Sequence, residues 1–298
     1  MTLDSTLGLT SFRHFDLIVR GEFSVSALYF DSLRKKFKVQ VRQDVGLSYS
    51  TAVIRLNSEM LYVYRQHLIR SDGFDLDIHS KFWSVAFFQE SEAQAHLIRL
   101  GESIPVRGKQ ILMIPPYSFL KWHLAAGPVQ WEAFLLRNQP TLSITEPMLF
   151  DLSAIPKCPM DATELVSLIK SLPAGRLVGF KNKNSLVAEK IKHRLDDRFP
   201  EFPNMSVLAK EVALQLPSLD REFHRTYGLS PREYNVRQRT LGTYLAALFS
   251  NKKSIKSVAS EMGFYHMGNF HKQCRRYLNA KPSELKTHPL DPGFSPKA

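Results

Sequence analysis

A chain of 298 residues, 44% apolar and 23% charged, is long enough for two domains with sizeable cores and has a globular rather than a disordered composition. It has no apolar run near the roughly 18 to 20 residues of a membrane span. Its opening "MTLDSTLGLTSFRHFD" lacks the charged start and apolar stretch of a signal peptide, so a soluble protein of the cytoplasm is expected. The net charge of +12 is unevenly placed: residues from Lys181 onward hold 21 Lys and Arg against 11 Asp and Glu, whereas residues 1–180 hold 19 against 17. A concentrated basic region captures polyanions, which points to nucleic acid first and an anionic membrane surface second.

From about 14 to 138 the chain alternates with period two in short runs, "SVSALYF", "FKVQVRQ", "MLYVYRQHLIR", "FDLDIHSKFWSVAFF", "QAHLIRL", "KQILMIP" and "VQWEAFLL". This pattern predicts strands with one buried face. Turn signals at "RSDGF", "LGESIPVRGK", "IPPYS" and "AAGPV" separate them, and many short strands favour a sandwich or barrel. After "SAIPKCPMD" the apolar spacing becomes three and four, predicting helices over 161–172 and 185–197 and helical structure beyond. The Pro, Gly, Asn and Lys of 173–184 predict a hinge. The expected fold class is therefore multidomain. Residues 1–178 form a mainly β domain ending in helices, 179–290 an all-α domain, and 291–298 a flexible tail.

The two cysteines, Cys158 and Cys274, are far apart in dissimilar surroundings, so buried fillers are expected rather than a disulfide or a zinc site. His67, His79, His96 and His123 are scattered, with no His-x-His and following Glu, and no nucleophile motif or phosphate-binding glycine loop is present. Neither an enzyme nor a cofactor is expected.

The all-α region contains an internal repeat. Ala209, Val212, Ala213 and Leu214 match Ala259, Met262, Gly263 and Phe264 fifty residues on. Leu219, Phe223, Tyr227, Gly228 and Pro231 match Phe270, Cys274, Leu278, Asn279 and Pro282 fifty-one residues on. The added residue falls in a turn, and each copy reads as a helix-turn-helix. Ala209 and Ala259 are small where two helices approach, and Gly263 suits a left-handed turn exit. The second helix of each copy sets an apolar stripe, Leu219, Phe223 and Tyr227 or Phe270, Cys274 and Leu278, against a polar face. That face holds Ser218, Arg221 and Arg225 in one copy, and Asn269, Lys272, Gln273 and Arg276 in the other. A face of donors is what a helix needs to reach base edges in a major groove.

The second copy, with its "IKSVASEMGF", Phe270, paired Arg275-Arg276 and "KPSEL", resembles AraC/XylS-type transcription regulators over about residues 185–287. The resemblance implies a seven-helix DNA-binding domain in which two helix-turn-helix units are joined by a central helix, here about 231–250. Ser230 would be its N-cap, Pro231 its first residue and Glu233 the partner in a capping box. Carried over position by position, Ser218, Arg221, His266, Asn269 and Lys272 would read bases. Arg225, Gln273, Arg275 and Arg276 would meet phosphates or the rim, and Ala209, Leu219, Phe223, Ala259, Gly263, Phe264, Phe270 and Cys274 would form the core. Tyr265, His266 and Gly268 make the entry of the second reading helix irregular, and Asn279 stands where a glycine is usual.

In that family the N-terminal domain senses a small molecule or dimerises and is often cupin-like. "RGKQILMIPPYSFLKWHL" is loosely similar to a cupin strand pair, and Trp83, Tyr117, Trp122, His123 and Trp131 are candidates for an effector pocket, or equally for core. The helix over 161–172 could pair with a second subunit or pack on the β domain. The reading is a sequence-specific DNA-binding regulator of promoter sites, activator or repressor, with RNA polymerase, a small-molecule effector and a second copy as further partners. The alternatives are a nonspecific nucleic-acid-binding or architectural protein and a cupin-type enzyme.

Overall fold

The computed structural model describes residues 40–44, 47–55, 58–69, 72–88, 95–138, 144–152, 162–182, 186–250, 253–278, 281–282 and 288–289. The strand predicted at 24–30, Cys158, Asn279, much of the "KPSEL" and the tail from 291 lie outside them, as do the side chains of His67 and Trp131.

The β region is a sandwich of two sheets. The larger runs β1 (Gln40–Asp44), β2 (Leu47–Arg55), β3 (Met60–Ile69), β10 (Gly127–Leu136), β5 (Trp83–Phe88), β8 (Gln110–Ile114), β11 (Met148–Asp151) and β12 (Arg176–Leu177), with β13 (His288–Pro289) parallel to β2. The smaller runs β4 (Gly73–Ile78), β9 (Phe119–Leu124), β6 (Ala95–Arg99) and β7 (Glu102–Val106). The apolar run 74–88 is thus two strands in different sheets, and residues 79–82 carry the chain between them. β7 occupies the stretch read as a turn; the reversal before it is the two-residue Leu100-Gly101, both at positive φ, as a tight hairpin requires.

Alternation sorts the larger sheet's side chains onto two covered faces. Met60, Tyr62, Trp83, Val85, Ile111, Met113, Phe134 and Leu136 pack with Leu165 and Ile169 of α1 (Ala162–Lys170). The apolar stripe of α1 is therefore buried on the sheet. Their neighbours Ala86, Leu112, Ile114 and Ala133 meet Leu97, Ile104, Val106 and Leu120 from the smaller sheet. Leu61 and Val63 meet Leu245, Leu248 and Phe249.

The helical region contains α2 (Leu186–Asp197), α3 (Met205–Glu211), α4 (Leu216–Tyr227), α5 (Pro231–Phe249), α6 (Ile255–Glu261) and α7 (Met267–Leu278). Its first half shares a core with the sandwich, because Ile78 and Phe119 lie in one cluster with Ile191, Leu195, Leu208, Leu219, Phe223, Tyr227 and Tyr234. The Phe119 ring stacks on Tyr227 at 4.5 Å and on Tyr234 at 5.0 Å. Stacked aromatic pairs add about 0.5 to 1.5 kcal/mol to their area burial.

Glu146 fastens the strand that leads into the helices: its carboxylate takes Lys181 at 2.7 Å and Arg99 at 3.0 Å, while Arg99 also donates to the Gly179 carbonyl at 2.7 Å. Burial alone would raise the Glu146 carboxyl, but hydrogen bonds from Lys181 and Arg99 hold it below its ordinary value of 4.5. A carboxyl lowered by folding contributes stability above pH 4.5 and loses it as pH falls through the lowered value. Urea midpoints measured from about pH 6 to about pH 3 should therefore fall less steeply for Glu146→Gln than for the parent. Parallel profiles would count against the clip.

Candidate nucleic-acid interface

The two helix-turn-helix units repeat each other's backbone hydrogen bonds, while their caps reach different residues. α3 is capped by Asn204, whose side chain accepts the Ser206 N–H at 2.9 Å, and α6 by Ser254, which accepts the Ser257 N–H at 3.1 Å. Leu214 donates to the Ala209 carbonyl at 2.8 Å, and Phe264 donates to the Ala259 carbonyl at 2.8 Å. Residues 212–215 separate the helices of the first unit and 262–266 those of the second, so the added residue does fall in the turn. Ala209 and Ala259 are buried at the helix contact, and Leu219, Phe223, Phe270 and Cys274 are fully buried below the reading helices.

Both turns pass through the left-handed region, at Ala213 with φ 55° and at Gly263 with φ 75°. The two positions differ in what surrounds them. A Cβ on Gly263 would stand 2.5 Å from a guanidinium nitrogen of Arg239. That side chain reaches from α5, donates from Nε to the Met262 carbonyl at 2.7 Å and from a terminal nitrogen to the Gly263 carbonyl, and lies 4.8 Å above the Phe264 ring. A buried guanidinium thus caps the second turn, and burial lowers its affinity for its proton. No periodicity singles out Arg239 in the sequence; its role follows from its meeting with Gly263.

The reading faces are open. Arg221 on α4, and His266, Asn269, Lys272, Arg275 and Arg276 on and before α7, are exposed, and Ser218 is half-buried. Arg221, Lys272 and Arg275 make no ion pair among the described residues, which leaves their donors available. Arg225 and Arg276 are less free. Arg225 is held by Glu222 at 2.5 Å, and Arg276 lies 3.7 Å from Glu233 and over Tyr277 at 5.1 Å. Gln273 turns inward, its Oε1 buried and unpartnered among the described residues. Ser230 caps α5 as its spacing implies, accepting the Glu233 N–H at 3.2 Å. The Glu233 carboxylate does not complete the capping box; it pairs with Arg237 at 2.9 Å and faces Arg276, tying α5 to the second reader.

Of the residues named as a possible effector pocket, the four with described side chains do not share one space. Trp83 is 2% exposed in the cluster beneath α1, and Tyr117 packs on Phe199 at 5.6 Å, with burial pushing its hydroxyl pKa up. Trp122 faces Phe88 in the sandwich interior, while His123 lies between Phe74 at 4.9 Å and His96 at 6.1 Å. Among the described residues no three His, Cys, Asp or Glu side chains are grouped to hold a metal, and no helix is long and apolar enough to cross a membrane.

Residues 208–288 match the model of a family described as a helix-turn-helix domain. The chain is similar to the virulence regulon transcriptional activator VirF of Yersinia enterocolitica and to the thermoregulatory protein LcrF of Yersinia pestis. Each is 26% identical over 121 residues, 37% of this chain and 44% of the relative. The chain thus spans less than half the length of these curated relatives. Among solved structures it is similar to unsaturated fatty acid-bound ToxT from Vibrio cholerae, with 12% identity, 76% of this chain and 95% of that chain covered, and a TM-score of 0.42. The C-terminal part of the chain is a helix-turn-helix DNA-binding domain of the AraC type.

Gly263→Ala should lower stability by about 2 kcal/mol or more, combining the left-handed cost with displacement of Arg239. Ala213→Gly relieves the same strain in open surroundings and should be neutral to stabilising by up to about 1 kcal/mol. Urea denaturation followed by helical circular dichroism measures both, and effects of equal sign would contradict the difference.

Proposed function

We propose that the protein is a sequence-specific DNA-binding transcription regulator that acts at promoter sites, where it meets RNA polymerase, and whose β sandwich controls the placement of two reading helices. We take 1–178 as the controlling domain, 179–290 as the reader and 291–298 as a tail. The observation that carries this reading is the pair of open faces on α4 and α7, joined by one buried helix, α5. Ser218, Arg221, His266, Asn269 and Lys272 are assigned to base edges, and Arg275 to phosphate, with Arg225, Gln273 and Arg276 at the rim. The pairing of Arg225 with Glu222, and the inward turn of Gln273, give those two the smaller share.

Selection of bound sites from random DNA by the full-length chain, followed by mobility shifts over a range of salt, tests the proposal. Arg221→Ala should cost about 1 to 3 kcal/mol and relax preference at particular base pairs. Arg275→Ala should weaken all sites evenly and reduce the salt slope by about 1. If both substitutions weaken every sequence alike, the protein is a nonspecific binder; if no fragment is preferred and no salt slope appears, the assignment of the readers is wrong.

A further inference from the structure

The two helix-turn-helix units lose register with each other at one place. Leu214 and Phe264 close their turns on equivalent carbonyls, those of Ala209 and Ala259, at an offset of fifty. The reading helices then open on carbonyls at an offset of fifty-one. Gln215 accepts the N–H groups of Ser218 at 3.0 Å and Leu219 at 2.9 Å, and His266 accepts those of Asn269 at 3.0 Å and Phe270 at 3.4 Å. The residue by which the second copy is longer is therefore Tyr265, between Phe264 and His266.

Among the described residues Tyr265 is the most exposed of the large apolar side chains, at 85%. Its neighbour Phe264 does the packing instead, with its ring 5.2 Å from that of Phe270 and beneath Arg239. A lone exposed aromatic needs no explanation on its own. This one stands directly before His266 and α7, four residues ahead of Asn269, and it is the N-terminal residues of a reading helix that reach base edges. Cations answer phosphates, but a ring needs an apolar surface. The major groove presents one apolar group, the C5 methyl of thymine.

Resting on the DNA-reading proposal above, we infer that Tyr265 is a further specificity-determining residue of the second reader, its ring lying on a thymine methyl at the edge of that reader's site. The two readers are then unequal, because the first unit passes from Leu214 to Gln215 with no residue in the equivalent place. The ring is added beside an otherwise repeated pair of helices, so this selectivity requires no change in the core of Phe264, Phe270 and Cys274.

Removing the methyl alone provides the test. In a site selected by the full-length chain, each thymine is replaced in turn by deoxyuridine, and affinity is measured by mobility shift. The half-site whose preference relaxes in Lys272→Ala belongs to the second reader. There one deoxyuridine should weaken binding by the parent about fourfold, the effect of one buried methyl. Tyr265→Ala should bind the thymine and deoxyuridine sites alike, and Tyr265→Phe should keep the difference. Neither substitution should shift the urea midpoint or the response to deoxyuridine in the first reader's half-site. A fourfold loss that persists in Tyr265→Ala would overturn the inference, as would a parent indifferent to every deoxyuridine in the second half-site, or a Tyr265→Ala variant that weakens all sequences evenly. Each of these leaves the regulatory reading standing, since the parent still prefers its site; a parent with no preferred fragment would overturn both.

Discussion

The rest of the molecule depends on how α5 is buried. Much of its surface is enclosed, yet many of the enclosed side chains are polar: Asn235, Gln238, Arg239, Thr240 and Thr243 are all buried. Each places a donor on an acceptor that an apolar side chain would leave alone. The Gln238 side-chain amide donates to the His79 carbonyl at 2.5 Å and the Gln238 backbone carbonyl accepts from Ser80 at 3.2 Å, which fixes the helix to the crossing between the two sheets. Asn235 donates to the Glu201 carbonyl at 3.2 Å, and Arg239 holds the second turn. Gly242 lets the sandwich come this close, because a Cβ there would meet Ser80 Oγ at 2.9 Å and the Phe199 ring at 2.8 Å. Buried polar groups cost about 1 to 3 kcal/mol each when left unpaired, so this set of bonds specifies one docking geometry rather than a general apolar contact.

The two readers are consequently held by different physics. The first shares an aromatic core with the sandwich through Phe119, Tyr227 and Tyr234, beside a buried polar group in which Tyr234 donates to Asp196 at 2.5 Å and Lys192 pairs with the same carboxylate at 2.6 Å. Burial raises both the Asp196 carboxyl and the Tyr234 hydroxyl above their ordinary values. The second reader packs on the far half of α5 through Tyr244 and Ala246, with Arg239 capping its turn and Glu233 facing its Arg276. A change in the sandwich reaches the first unit directly through the Phe119 stack, and the second by way of α5 and of Phe199, which packs on Tyr117 and on the second unit's core.

Much of this was legible in the sequence. The repeat, with its offsets of fifty and fifty-one, places both turns where the structure has them, and Ser230-Pro231 marks the start of α5. Alternation identified most strands of the sandwich, but it reports only that a face is buried and not what covers it. That is why the pattern over 74–88 reads as one run, and why β7, ending in a buried Val106, reads as a turn. The docking bonds were beyond reach for a related reason. Gln238, Arg239 and Asn235 look like the solvated face of an ordinary helix until tertiary structure supplies their acceptors. Likewise Arg225 looked free because a pair with Glu222 three residues back depends on a rotamer that spacing permits but does not decide.

The central claim is that α5, docked on the sandwich, holds both readers as one piece. Amide hydrogen exchange of the full-length chain and of Phe119→Ala tests it most directly, read at the backbone N–H groups of α4 and α5. The account predicts faster exchange along α4 and the N-terminal half of α5 in the variant, while the sandwich strands β5, β8 and β10 keep their protection. Unchanged protection of α4 and α5 would contradict it, because the readers would then be held without the sandwich.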